Sequence, residues 1–356
     1  MSQLHIFSAR ESDGLEGRIK EIFLEATGNL SWLAPGETVL LKPALNSRDP
    51  YPATTHPLAL KAVAEVLRDR GARVIAADQS GLEHVFHAPE GVIKGSSEEC
   101  YDKSDMARAG VEFIALERRG WKEGFYKFQS PEASSWPDGF YLSNIVKEAD
   151  HIISLPRLST HAMAGVTLGF KNFVGLLRED SRSEFHADGP FYQEFKTMAA
   201  AGNLPVDYVR RGKFFEKMTE ISLALREKLR LTLIVGTKAQ LTFGPDKNIY
   251  GFKAYATQPD PGLIFASDNQ AAIEAAAIAF LSVLYEKVPL QRKFLQGILF
   301  KLNPRIKRLG SFSPWKHPFV RRALELGLGD RDSEIRWDAV PPELRKRMEE
   351  ILKFSD

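Results

Sequence analysis

At 356 residues, with 44% apolar and 26% charged side chains, the chain can build one large domain or two smaller ones and lacks the composition of disorder. Its formal charge of +2 gives no reason to expect nucleic acid as a partner, and its single cysteine, Cys100, excludes a disulfide framework or an all-cysteine zinc or iron–sulfur site. No basic region followed by an apolar run opens the sequence, and the longest apolar stretch, 271–284, is broken by Glu274 and too short to span a bilayer; the expectation is a cytoplasmic protein with no transmembrane segment.

In chain order, Leu15, Ile19, Ile22, Phe23 and Ala26 recur at helical spacing and predict a helix over 15–26. After Pro35-Gly36, residues 38–43 read as a buried strand ended by Pro43. A loop over 44–57, a helix over 58–69 closed by Gly71, and a strand over 73–78 follow. Strand, helix and strand make a βαβ unit, whose strands are parallel and whose ligands sit beyond the strands' carboxyl ends. Lys42 and Asp78 fall at those ends. Lys42 reads equally as an anion anchor or as a strand-end lysine with a buried stem. Thr54 and Thr55, before His56-Pro57, suit the cap of the following helix, whose N-terminus also favours an anion.

Residues 81–137 are irregular and read as an insertion with one short strand near 111–116. His84 and His87 stand three apart, a spacing two metal ligands can use on a helix. Pro89 interrupts any such helix and no third ligand accompanies them, so surface histidines are the expectation. A strand over 150–155 then ends at Pro156.

The stretch 155–177, LPRLSTHAMAGVTLGFKNFVGLL, is the richest in chemistry. Arg157, Thr160, His161, Thr167, Lys171 and Asn172 are threaded among Gly165, Gly169 and Gly175, so cations, a group titrating near neutrality and neutral donors lie where backbone can approach a ligand. Phe170, Phe173, Val174 and Leu176 require burial, which sets the segment apart from a solvated loop. Next, 178–190 is densely charged. It reads as a solvated loop, with His186 and Asp188 as secondary candidates for a lid over the site. An amphipathic helix over 214–229 and a strand over 231–235 follow.

The same residues carry a resemblance. Pro156-Arg157-x-x-Thr160-His161, then Thr167, Lys171-Asn172 and Gly175, resembles the signature of the domain of unknown function 362 family, although Arg157 and Ser159 replace its usual lysines. Leu41-Lys42-Pro43-x-x-Asn46 and Thr55-His56-Pro57 resemble its Lys-Pro-Asn and Thr-x-Pro elements. Residues 238–245 fall where that family has a Gly-Pro element. Residues 263–275 resemble its Ala-Ser-x-Asp-Pro segment, with Asn269, Gln270 and Glu274 at its usual Asp, Pro and second Asp. Many members carry a ferredoxin-like cysteine cluster, which this chain lacks; the resemblance thus implies no iron–sulfur cluster of its own and leaves a role beside a redox enzyme open. The βαβ opening is also similar in layout to lactate racemase-like proteins, which use a nickel-pincer cofactor on 2-hydroxy acids. The architecture carries over and the cofactor does not.

Together these readings predict an α/β fold: a mostly parallel sheet built from βαβ units with helices on both faces, an irregular insertion and a helical C-terminal tail. Residues 1–285 would form the core, with insertions near 81–140 and 178–212, and 286–356 a basic helical extension packed on it. The expected site has Lys42, Lys171 and Arg157 converging with Thr55, Thr160, Thr167, Asn172 and Gly175 on the carboxylate or phosphate of a small anionic metabolite. His161 is the expected proton carrier, with Lys171 polarising a carbonyl or acting as base; the chemistry is then isomerase-, racemase- or lyase-like. The cofactor is unknown. Two alternatives stand beside this reading: a non-catalytic anion-binding partner of an iron–sulfur enzyme, and an enzyme holding a divalent metal with Asp78, His161 and Glu274. A homo-oligomer fits any of the three. The basic, aromatic-containing stretch after Leu284 suits an anionic membrane surface or a partner, but a tail with solvated charges explains it as well and is preferred.

Overall fold

Strand–helix–strand alternation produces the sheet expected of it. In the computed structural model, which describes residues 2–353 except 187–191, 205, 207–211, 245, 250–251, 304–306, 308 and 311, the main sheet has eight strands. These are β1 (Gln3–Ala9), β2 (Thr38–Pro43), β3 (Arg73–Asp78), β4 (Glu112–Ala115), β5 (His151–Leu155), β6 (Leu229–Gly236), β7 (Gly262–Ser267) and β8 (Glu334–Asp338). Their order across the sheet is β8-β1-β7-β6-β5-β2-β3-β4. β7 pairs antiparallel with β1 and with β6, while every other pairing is parallel.

Alternation along each strand sorts side chains onto two faces. Val39, Leu41, Ile153 and Leu233 face a core closed by α1 (Leu15–Ala26) and α2 (Pro57–Asp69). Leu40, Ile152, Ile234 and Phe265 face a second core beneath α5. On that side lie α3 (Glu179–His186), α4 (Phe214–Glu220), α5 (Gln270–Glu286), α6 (Leu290–Leu302), α7 (Pro318–Glu325) and α8 (Pro342–Lys353). α5 is apolar nearly all round because α7 and α8 cover its outer side. No helix among the described residues is long and apolar enough to cross a membrane.

The connections position the site. The chain steps from β2 outward to β3 and β4, then returns to lay β5 on the other side of β2. The carboxyl ends of β2 and β5 therefore diverge in their onward paths, and that divergence leaves a crevice for a ligand.

Several expectations change. The charged stretch after Leu177 is a buried helix, α3, rather than a solvated loop: Arg178 pairs with Asp180 at 2.7 Å, its guanidinium lies 3.4 Å from the Tyr141 ring centroid, and Phe185 is fully buried. The helix expected over 214–229 ends early, passing into a 3-10 turn over Ile221–Ala224 before β6 begins. The insertion holds more than the strand at β4, adding hairpins of Phe86–Ala88 with Gly91–Lys94 and of Phe125–Phe128 with Phe140–Ser143. The C-terminal extension is not only helical, since β8 adds a parallel edge to β1.

Candidate anion-binding site

A cleft enclosing roughly 860 Å³, part of it open to solvent, lies beyond the carboxyl ends of β2, β3 and β5. Arg157, His161, Thr167, Lys171, Asn172 and Gly175 all line it, as do Asp78 and His186. A small hairpin delivers the first of these: Ser159–His161 pairs antiparallel with Gly165–Thr167, and the short helix Gly169–Asn172 then presents Lys171. Among the described residues nothing accepts a hydrogen bond from Lys171 Nζ. The cleft walls strip its ammonium of water, and Arg157 and Arg182 repel it while Asp246 partly offsets them; its pKa falls to about 7.

Hydrogen bonds fix the neighbouring imidazoles. His161 Nδ1 accepts from the backbone N–H groups of Met163 (3.0 Å) and Ala164 (3.3 Å). Burial, with Lys171 and Arg157 adding repulsion, holds His161 well below the ordinary histidine value, so the ring is neutral and carries its proton on Nε2. His186 is reversed. Its Nδ1 donates to the Arg182 carbonyl at 2.6 Å, and burial beside Lys171 keeps it neutral with an unprotonated Nε2. One imidazole is set as a donor and the other as an acceptor.

Other expected site residues hold the scaffold. Lys42 is fully buried, 2.9 Å from Asp78 Oδ1, and donates to the Pro43 carbonyl at 2.7 Å. Asp78 also accepts from the N–H groups of Leu45 and Gln79, both at 2.8 Å. This pair closes the ends of β2 and β3 against each other, and it buries the Lys42 ammonium instead of letting it reach water from a buried stem. Asn172 donates to the Lys42 carbonyl at 2.8 Å and to Ser154 Oγ at 3.1 Å, joining β2 to β5. Gly175 lies against this knot, where a Cβ would overlap the Asp78 carboxylate.

Lys42 does not line the cleft, and three further candidates also lie outside it. Thr55 does not cap α2, because His56 does, accepting from Leu58 N at 3.1 Å; Thr55 instead bridges Ala44 N and the Leu155 carbonyl. Thr160 turns toward the Gln240 carbonyl and lines a separate crevice. Glu274 is buried under the N-terminus of Gly169–Asn172, accepting from Phe170 N, and desolvation raises its pKa to about 8. Asp78, His161 and Glu274 are thus not gathered as a ligand set, and among the described residues no three His, Cys, Asp or Glu side chains form one. Asn269 caps α5, accepting from Ala272 N at 2.9 Å. Asp188 and Pro245 lie outside the described residues.

The cleft also gathers residues that were not among the expected site residues. Arg182 reaches the cleft from α3 with Nη2 on the Ser80 carbonyl at 2.7 Å, while its Nε and Nη1 make no hydrogen bond. His84 lines the cleft mouth, paired with Asp246 at 2.7 Å, and that carboxylate holds its pKa above the ordinary histidine value against desolvation. Asn46 donates to the same Asp246. His87 is no surface group; it is buried 5.3 Å from the Trp121 ring. His84 carried a signal in its spacing with His87, Asn46 in the Lys-Pro-x-x-Asn element, and Arg182 as a basic residue shortly after the glycine-rich stretch that its charged neighbours masked. Asp246 reaches Asn46 across 200 residues of chain and His84 across 162, and its one local mark is its place directly after the 238–245 element.

A model of the domain of unknown function 362 family matches residues 39–279, most of the chain and every residue of the cleft. The chain belongs to that family. The ferredoxin-like cluster that the resemblance attributes to many members has no ligands here, since the one cysteine, Cys100, is buried against the side of the sheet covered by α2. A thylakoid-associated protein of Synechocystis sp. is 27% identical over 168 residues, covering 46% of this chain and 47% of that protein, so the match spans about half of the relative's length. Among solved structures, the lactate racemase apoprotein of Thermoanaerobacterium thermosaccharolyticum aligns over 72% of this chain and 54% of its own, at 16% identity and a TM-score of 0.36.

Proposed function

We propose that this family member is an enzyme that binds a small metabolite through a carboxylate or phosphate and moves a proton on it, with Lys171 as the proton carrier. The observation that carries the reading is Lys171 itself: a lysine without a carboxylate partner, flanked by Arg157 and Arg182, with its pKa brought to about 7. A group poised there exchanges protons in both directions at neutral pH. Arg157 and Arg182 hold the anionic end. Neutral Lys171 takes a proton from the carbon beside the bound carboxylate, and the electron pair of that C–H bond passes to the carboxylate or carbonyl oxygen. His161 Nε2–H donates to that oxygen as its charge grows, a role a neutral imidazole fills without giving up its proton. Return of the proton to carbon gives an isomerase or racemase, and loss of a β-leaving group gives a lyase. The expected roles thus exchange: Lys171 moves the proton and His161 orients.

Incubating the protein in D2O with a panel of small 2-hydroxy, 2-oxo and dicarboxylic acids, followed by proton NMR, tests this. Solvent deuterium entering one carbon position with wild type and at least about 10²-fold more slowly with Lys171→Met supports it. Binding of an acid at the cleft without exchange makes the protein an anion-binding accessory instead.

A further inference from the structure

α6 is built inside out. Leu290, Phe294, Ile298 and Leu302 recur every four residues and are 81%, 71%, 39% and 76% exposed, whereas the one fully buried side chain of the helix is polar, Gln296. Gln296 accepts from the Tyr285 hydroxyl at 2.7 Å, and with Phe300 it lines the crevice behind Thr160 and His161. A surface helix normally turns its apolar stripe inward. Here Leu295, Leu299 and Phe300 are half-buried, and a further apolar row runs outward for about 18 Å, at 1.5 Å per residue.

Charge selects what covers it. α6 contains no acidic residue, and Lys287, Arg292, Lys293 and Lys301 have no carboxylate partner among the described residues. Lys287 and Lys301 are exposed at the two ends of the stripe. Arg292 and Lys293 lie on backbone carbonyls, of Lys253 at 3.2 Å and of Glu286 at 2.9 Å, so their charge stays uncompensated. The side chains of Lys247, Lys253 and Arg292 share a further shallow basic depression alongside. A flat apolar stripe rimmed by unpaired cations matches the boundary of a bilayer bearing anionic headgroups.

We propose that α6 docks the protein on an anionic lipid surface, with Leu290, Phe294, Ile298 and Leu302 entering the acyl boundary and the flanking lysines at headgroup phosphates. This surface is separate from the cleft and does not depend on its chemistry. Co-sedimentation of the full chain with phosphatidylglycerol–phosphatidylcholine vesicles, and with phosphatidylcholine vesicles alone, tests it. The protein is expected to pellet with the anionic vesicles only and to be released by salt. The L290Q/F294Q/L302Q variant is expected to partition at least about tenfold more weakly, and K287E/K301E to lose most of the anionic preference. An unchanged thermal midpoint shows that these exposed changes leave the fold intact. Failure of wild type to pellet, equal binding to both vesicle types, or equal binding by the L290Q/F294Q/L302Q variant would overturn the proposal. A lipid-free dimer that this variant dissolves, without vesicle binding, would assign the stripe to a second copy of the chain.

Discussion

Lys42 and Lys171 sit around the same strand ends and have opposite fates. Lys42 has Asp78 at 2.9 Å, and removing the lysine leaves a buried carboxylate with two backbone N–H donors and no cation. Lys42→Met is expected to destabilise the protein by about 3–5 kcal/mol, read as a fall in the urea midpoint. Lys171 has repelling neighbours and a pKa near 7, far below the unfolded value. Below pH 7 it is charged in both states and the folded protein bears the whole cost; between pH 7 and 10.5 folding releases a proton and stability rises with pH. Lys171→Met is therefore expected to melt above wild type at pH 6, with the gap closing toward pH 10, in a series of thermal scans. The sequence supplied both lysines as candidates. It could not separate them, because the carboxylate that neutralises Lys42 and the guanidinium that presses on Lys171 each come from a different element.

At the scale of elements, what was legible followed periodicity. β2, β3, β5, α1 and α2 announce themselves by apolar repeats bounded by proline and glycine, and their order implies parallel strands with a site at the carboxyl ends. α3 was misread because local polarity stands for exposure only when charges lack partners, and here Asp180, Tyr141 and the Ser80 carbonyl supply them. Glu274 was read as a ligand candidate by analogy of position. Its place between α5 and the turn at Gly169 makes it a buried acid, with Oε1 unpartnered among the described residues. Its pKa of about 8 lies above the unfolded value, so the folded state holds the extra proton and stability falls as pH rises from about 4.5 to 8. Glu274→Gln removes that titration. The variant is expected to gain several degrees over wild type at pH 8.5 and little at pH 5, by differential scanning fluorimetry.

For the whole molecule, the C-terminal extension completes the structure and does more than decorate it. β8 covers the outer edge of β1, and Met348 of α8 is fully buried over α5. Removing residues 331–356 would open both a strand edge and an apolar helix, and is expected to lower the thermal midpoint and cause concentration-dependent aggregation by light scattering. The cleft and the α6 stripe then occupy two regions of one fold, joined through the crevice where Gln296 and Phe300 back onto His161.

The account rests on an anion held beside Lys171, and binding at two pH values tests that most directly. Thermal shifts would be measured for wild type and Lys171→Met with small carboxylates and inorganic phosphate at pH 6 and pH 8.5. At least one anion should raise the wild-type midpoint, more at pH 6, where the ammonium is charged, than at pH 8.5, whereas Lys171→Met, which keeps Arg157 and Arg182, should show a smaller shift that is the same at both pH values. Anions that stabilise both proteins equally, or neither at either pH, would contradict it.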